Sequence, residues 1–167
     1  MVARRTLVAK ARRIKLILLD VDGVMTDGGI YYTVSGAEMK RFNAQDGYGI
    51  ARAREHGLKF GIISGRNTPV VTRRAKDLQI VEVHQGRDDK LAVYQDIKKR
   101  LRLHDEECCF MGDDLFDMPL LRVVGLSAAP ANARPEVRRA VDFVCRARGG
   151  EGAVRELVDF ILAAQGR

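Results

Sequence analysis

Apolar residues fall in two rhythms along the chain. Short runs with little polar interruption occupy 15–20, 58–63, 80–84, 107–111, 125–128 and 143–144, and the first contains Leu16-Ile17-Leu18-Leu19. Continuous runs of this length predict strands buried on both faces. Between them, 4–13, 48–56, 68–78, 90–103, 117–123, 134–140 and 153–164 read as helices. In the last of these, Val154, Leu157, Val158, Ile161 and Leu162 form one apolar stripe. Gly57 predicts a helix stop, and Thr68-Pro69 predicts the start of the next helix. Only 30–34 and 39–42 break the pattern, as two β-rich runs around Ser35-Gly36 that predict a hairpin, with 43–47 as a loop after it. Strand and helix otherwise alternate, which predicts an α/β fold: a doubly wound, mainly parallel sheet with helices on both faces. No linker or repeat divides the chain. Residues 1–167 are expected to form one domain with a hairpin insertion at 30–42 and a Gly-rich tail and helix at 149–167.

The ends of the apolar runs carry the chemistry. The first closes on Asp20 and Asp22, two apart and therefore on one face if the strand continues, before Gly23 lets the backbone turn. Two carboxylates held together repel unless a cation or a shared proton relieves the charge, which predicts a metal site. The second run ends at Ser64-Gly65-Arg66, the third leads through Gln85-Gly86 to Lys90, and the fourth ends at Gly112-Asp113-Asp114. In a doubly wound sheet, ligands bind outside the carboxyl ends of the strands, so these groups are expected to meet. A site of carboxylate oxygens suits Mg²⁺, which keeps several waters and completes its shell with substrate phosphate. A lysine and a hydroxyl would hold the remaining phosphate oxygens. Phosphoryl transfer uses all of them.

Composition narrows the setting. A net charge of +7 predicts attraction for anions. The basic residues are spread over stretches such as Arg4-Arg5, Arg73-Arg74, Lys98-Lys99-Arg100 and Arg138-Arg139, and aromatics make up only 6%, so no stacking platform for nucleic acid accompanies them. An anionic small substrate suits the charge better, and a basic module over 4–15 is the nucleic-acid alternative. No apolar run approaches a membrane span. Lys10, Arg12 and Arg13 interrupt any export signal that Arg4-Arg5 would open. Cys108, Cys109 and Cys145 are an odd number without ligand spacing, which predicts free thiols in a reducing cytoplasm. His56, His84 and His104 make no ligand motif.

Taken together, Asp20-Val21-Asp22-Gly23-Val24-Met25-Thr26-Asp27-Gly28, Ile63-Ser64-Gly65-Arg66, Lys90 and Gly112-Asp113-Asp114-Leu115-Phe116-Asp117 resemble the four motifs of the haloacid dehalogenase-like phosphatases, in family order. The absence of a cap-sized insertion between the first two motifs resembles the capless branch. Phe42-Asn43, Asp46-Gly47-Tyr48-Gly49-Ile50, Gln85-Gly86 and Gly149-Gly150 with Gly152-Ala153-Val154-Arg155-Glu156 extend the likeness over most of the chain. The resemblance implies that Asp20 attacks phosphorus to form an aspartyl phosphate, and that Asp22 protonates the leaving oxygen and then activates water. It implies phosphate binding by Ser64 and Lys90, and Mg²⁺ held by Asp20, Asp113 and the Asp22 backbone carbonyl. Asp114 and Asp117 would support the metal shell or orient Lys90. The implied substrate is a sugar acid held by Asn43, Ala44, Gln45, Asp46, Gly47, Arg66 and Arg74, with an arginine fork suited to its carboxylate. Arg66 favours 3-deoxy-D-manno-octulosonate 8-phosphate (Kdo 8-phosphate), a lipopolysaccharide precursor, over sialic-type 9-phosphates, whose phosphatases tend to carry an acidic residue there.

Two positions depart from the family pattern: Ala51, where a basic residue often stands, with Arg52 next, and Glu151, where Arg or His is expected. The branch implies a homotetramer in which hairpins associate and neighbours help close the site, consistent with Tyr31, Tyr32 and Val34 on a hairpin that would otherwise be open. It also implies a Gly-rich tail that can fold over an active site. The remaining alternatives are a broad-specificity phosphatase with the same machinery and a phospho-receiver domain. In a receiver, the phosphorylated Asp follows a middle strand.

Overall fold

A computed structural model describes residues 2–167, with side chains from Thr6 onward, so the side chains of Arg4 and Arg5 lie outside the described residues. Its strands are β1 (Leu16–Leu19), β2 (Tyr31–Tyr32), β3 (Glu38–Met39), β4 (Lys59–Ile63), β5 (Glu82–His84), β6 (Cys108–Met111), β7 (Leu126–Ala129) and β8 (Phe143–Val144). The helices are α1 (Val2–Arg13), α2 (Ala44–Glu55), α3 (Pro69–Asp77), α4 (Lys90–Leu101), α5 (Met118–Leu121), α6 (Pro135–Ala140) and α7 (Ala153–Ala164).

Six strands form one sheet in the order β5-β4-β1-β6-β7-β8, and every neighbouring pair is parallel. The chain winds outward from β1 through β4 to β5, then returns to the other side of β1 and continues through β6, β7 and β8. The reversal falls at β1. In such sheets that is where strand ends diverge and a crevice opens.

Alternation along the strands feeds two cores. Ile17, Leu19, Phe60, Ile62, Cys109 and Met111 face one layer, with Ile50 of α2, Val71 of α3 and the α7 stripe of Val154, Leu157, Val158, Ile161 and Leu162. Leu16, Leu18, Ile63, Cys108 and Phe110 face the other, with Tyr94 and Ile97 of α4, Leu120 of α5 and Val137 of α6. Burial on both faces explains why the strands read as unbroken apolar runs. The three cysteines are buried and free.

Several boundaries differ from the sequence reading. The largest correction concerns 44–47: expected as a loop, they are the first turn of α2. The Asn43 side chain caps that helix, its Oδ1 accepting from the N–H of Gln45 at 2.7 Å and of Asp46 at 3.3 Å. Gly47 and Gly49 hide the helix from propensity, yet both sit against close neighbours: a Cβ at Gly47 would meet the tip of the Arg74 side chain, and one at Gly49 would press on Arg155 as far as its backbone. The hairpin forms as expected but pairs only Tyr31 with Met39 and Tyr32 with Glu38, and an isolated bridge from Thr26 to Phe42 ties its return to the loop after β1. The helix expected over 117–123 is a single turn at Leu115–Asp117 followed by α5. The helix over 90–103 stops at Leu101, where Arg102 turns left-handed.

Candidate active site

Asp20 follows β1, Ser64 follows β4 and Asp113 follows β6, so the three central strands deliver them to one end of the sheet. Lys90 opens α4 and reaches across: its Nζ lies 2.9 Å from Asp20 Oδ1 and 2.6 Å from Asp117 Oδ1. Both Lys90 and Asp117 are buried, and the ammonium also sits 5.2 Å from the centre of the Phe116 ring. Asp117 is fully used. Its Oδ2 accepts from the backbone N–H groups of Asp113 at 2.9 Å and Asp114 at 3.2 Å, so it orients the lysine and shapes the loop after β6. The Asp114 carboxylate caps that turn instead, accepting from the N–H of Leu115 at 2.6 Å.

Carboxylate oxygens of Asp20, Asp113 and Asp117 lie within 4.8 Å of one another. Burial pushes Asp20 up to about 6, with the Lys90 charge opposing the rise and Asp117 adding to it. Burial, then the charges of Asp20, Asp117 and Asp114, push Asp113 up to about 7. For Lys90, burial works against the ammonium, but Asp20 and Asp117 outweigh it and raise the pKa. The donor set is all oxygen, anionic and short of positive charge. With Asp117 committed to Lys90 and the backbone, Asp20 and Asp113 are the carboxylates available to a hard divalent cation. Gly23 makes the approach possible: it is left-handed at φ 89°, and a Cβ there would run into the Asp113 carboxylate.

Asp22, two residues on, faces elsewhere. Its Oδ1 is bound by the ammonium of Lys40 on the hairpin, and its Oδ2 lies 3.6 Å from Arg66 Nε. Its carboxylate is outside the three-carboxylate cluster, so the two aspartates of the first motif occupy different environments. Ser64 is buried, and its Oγ accepts from the N–H of Arg66 at 3.3 Å.

The residues expected to hold the sugar divide into groups. Arg66 lies beside Asp22, with its Nη2 donating to Glu38 Oε2 at 3.0 Å. Asn43, Ala44 and Gln45 line a cavity of about 500 Å³ together with Arg41, Phe42, Gly150 and Glu151. Arg74 stands behind this wall, donating to the Asn43 carbonyl at 3.2 Å and lying 5.5 Å over the Phe42 ring. Asp46 turns inward. It is 4% exposed, and its Oδ1 accepts from the N–H of Arg155 at 2.8 Å, in the first turn of α7. The N-cap of α7 is Gly152, which has no side chain to do this, so a residue from another helix supplies the cap. Gly47 packs on Arg74. Arg52, beside Ala51, pairs with Asp159 of α7 at 3.2 Å. Glu151 pairs with Arg41 at 3.2 Å, a charged tail contact of opposite sign to the one expected.

Three contributors escaped the sequence reading. Glu38 and Lys40 were seen only as hairpin residues, although their spacing of two on a strand puts them on one face. Asn132 had no signal at all. Its amide donates to the Gly23 carbonyl at 2.9 Å and accepts from the Gly149 N–H at 2.6 Å, while the Gly150 N–H donates to the Val24 carbonyl at 3.1 Å. The Gly-rich tail is thereby strapped to the loop that carries Asp22.

A carboxylate paired with a buried lysine, a second carboxylate across the crevice and a hydroxyl at the next strand end give the doubly wound sheet the groups that phosphoryl transfer uses. Residues 74–157 match the family of haloacid dehalogenase-like hydrolases, and the chain belongs to that family. It is 44% identical over 160 residues to the 3-deoxy-D-manno-octulosonate 8-phosphate phosphatase of Escherichia coli strain K12, a match spanning 96% of this chain and 85% of the relative. The crystal structure of the phosphatase of that name from Yersinia pestis superposes with a TM-score of 0.95 at 42% identity, covering 96% and 87% of the two chains. The Moraxella catarrhalis phosphatase, solved with magnesium, phosphate and KDO, superposes with a TM-score of 0.94 at 39% identity, covering 96% and 92%.

Proposed function

We propose that the chain is a Mg²⁺-dependent phosphatase that hydrolyses 3-deoxy-D-manno-octulosonate 8-phosphate to the free sugar acid and phosphate. The observation that carries the reading is the pairing of Asp20 with buried Lys90, opposite Asp113, at the β1 switch point. Asp20 and Asp113 would hold Mg²⁺, which would supply the positive charge that a carboxylate needs to approach a phosphate dianion. Lys90 and Ser64 bind phosphate oxygens, and Asp117 keeps Lys90 in place. Asp20 forms a bond to phosphorus as the bond to the sugar oxygen breaks, and Asp22 gives that oxygen its proton. Asp22 then takes a proton from the water that opens the aspartyl phosphate. The separate surroundings of the two aspartates suit separate roles. Arg66, with its planar fork, receives the substrate carboxylate.

The exposed apolar positions of the hairpin, Ile30, Tyr31, Tyr32, Val34 and Met39, support association into a tetramer through this element. Three buried free thiols suit a reducing cytoplasm. No helix of the described residues is long and apolar enough to cross a membrane.

A substrate panel tests the reading. Kdo 8-phosphate is expected to exceed glycerol phosphate and sialic-type 9-phosphates by about 100-fold in kcat/KM, since remote contacts to the sugar acid are spent in the transition state. Equal turnover of all three would leave only a broad-specificity phosphatase. Asp20→Asn is expected to lower kcat by at least about 10³-fold with unchanged circular dichroism, and substantial residual turnover would remove Asp20 as nucleophile.

A further inference from the structure

We propose that Lys40 is a positioning residue for Asp22, so that the hairpin takes part in the catalytic apparatus as well as in any subunit contact. The proposal rests on the reading of Asp22 as proton donor and goes beyond it.

The hairpin lies outside the six-stranded sheet, and most of it faces solvent: Tyr32 is 63% exposed and Met39 52%. Lys40 is the contrast. Its side chain has 0% exposure, its ammonium binds Asp22 Oδ1, and it lies 2.8 Å from Glu38 Oε1. Glu38 in turn holds Arg66 at 3.0 Å, and Arg66 Nε faces the second oxygen of Asp22 at 3.6 Å, beyond hydrogen-bonding distance. Asp22, Lys40, Glu38 and Arg66 therefore form a ring of alternating charge that includes the Asp22 carboxyl group. Two come from one face of the returning hairpin strand.

The ring leaves Asp22 with two unequal oxygens. Oδ1 is anchored to the ammonium of Lys40, whose side chain has no exposed surface. Oδ2 carries no hydrogen bond from the ring and is the oxygen that exchanges the proton. Fixing one oxygen sets the direction of the other, and a displacement of about 1 Å in a reacting group costs on the order of 10²-fold in rate. In the step concerned, an Asp20 oxygen bonds to phosphorus and the phosphorus–oxygen bond to the sugar breaks. The electron pair goes to the sugar oxygen, which takes the proton from Asp22 Oδ2. An alkoxide leaving group needs that proton. A nitrophenolate leaves without it.

The test is single-turnover release of the leaving group, with enzyme in excess, from Kdo 8-phosphate and from p-nitrophenyl phosphate. This isolates the first chemical step from hydrolysis of the phosphoenzyme. For Lys40→Met, release of Kdo is expected to slow by about 10²-fold or more, the scale of a lost general acid, while nitrophenol release stays within about 3-fold. Lys40→Arg keeps the charge but not the compact point geometry, and is expected to show the same selective loss to a smaller degree. It also serves as the informative variant if Lys40→Met fails to fold by circular dichroism. Equal slowing of both substrates, or of neither, overturns the proposal. Asp22→Asn separates the two levels. If it slows Kdo release selectively and the Lys40 variants do not, only the positioning role falls. If it slows both substrates equally, the donor assignment falls and the proposal with it.

Discussion

Removing the cation should make the stability of this protein fall with rising pH, and adding Mg²⁺ should abolish that fall. Asp20 and Asp113 have native pKa values of about 6 and about 7 against 3.8 ordinarily, chiefly through burial. A carboxyl group raised in the native state contributes stability that is fully present below its unfolded pKa and is lost as pH rises through the native value. The loss therefore runs from about pH 4 to about pH 8. Raising Asp20 from 3.8 to about 6 corresponds to about 3 kcal/mol at ~1.4 kcal/mol per unit. Asp113 repels Asp20 and shares this penalty, so the pair sets the scale and the two shifts are not summed. At ~2–4 °C per kcal/mol for a chain of this size, the full loss corresponds to about 6–12 °C in Tm, of which roughly half, about 3–6 °C, falls between about pH 5 and about pH 8. Carboxyls held below their ordinary range, such as Glu38, Glu82 and Asp142, act in the opposite sense, but their effect is complete by about pH 5. Thermal unfolding followed by circular dichroism from about pH 5 to about pH 8, in EDTA and in ~10 mM Mg²⁺, reads the difference directly. The Mg²⁺-induced rise in Tm should grow with pH, because protons compete with the metal for the same oxygens. Asp113→Asn should flatten the EDTA profile and remove most of the Mg²⁺ response. A Tm that rises with pH in EDTA, or a Mg²⁺ response independent of pH, would refute the reasoning.

Two further outcomes follow from the same geometry. Asp46→Ala should remove the cap on the first turn of α7 and cost ~1–2 kcal/mol by denaturant unfolding, with KM for Kdo 8-phosphate unchanged. A raised KM at full stability would instead put Asp46 against the substrate. Val34→Asp or Tyr32→Asp should shift the protein to smaller species in sedimentation velocity, since a charge in an apolar contact is expensive to bury, while an unchanged profile would place the subunit contact away from the hairpin.

The chain order of apolar runs and their abrupt polar ends already contained the sheet, the two helical layers and the four strand-end chemistries. Those features are local: burial on both faces demands an uninterrupted apolar strand, and a doubly wound sheet opens only at its carboxyl ends. Tertiary structure decided which residue each polar group serves. The Asn43 cap made 44–47 helical despite Gly47, and the helix continues through Gly49, where Arg155, far along the chain, leaves little room for a side chain. Asp46 looked like part of a binding loop and instead caps a helix 109 positions away. For Asp117 the motif left open the metal shell or the orientation of Lys90, and the fold gives it Lys90 and two backbone N–H groups. Asp20 and Asp22 were distinguishable by motif but not by surroundings. Their separation, one toward Lys90 and Asp113 and the other toward Lys40 on the hairpin, depends on contacts between segments far apart in the chain. Local spacing carries no information about such contacts.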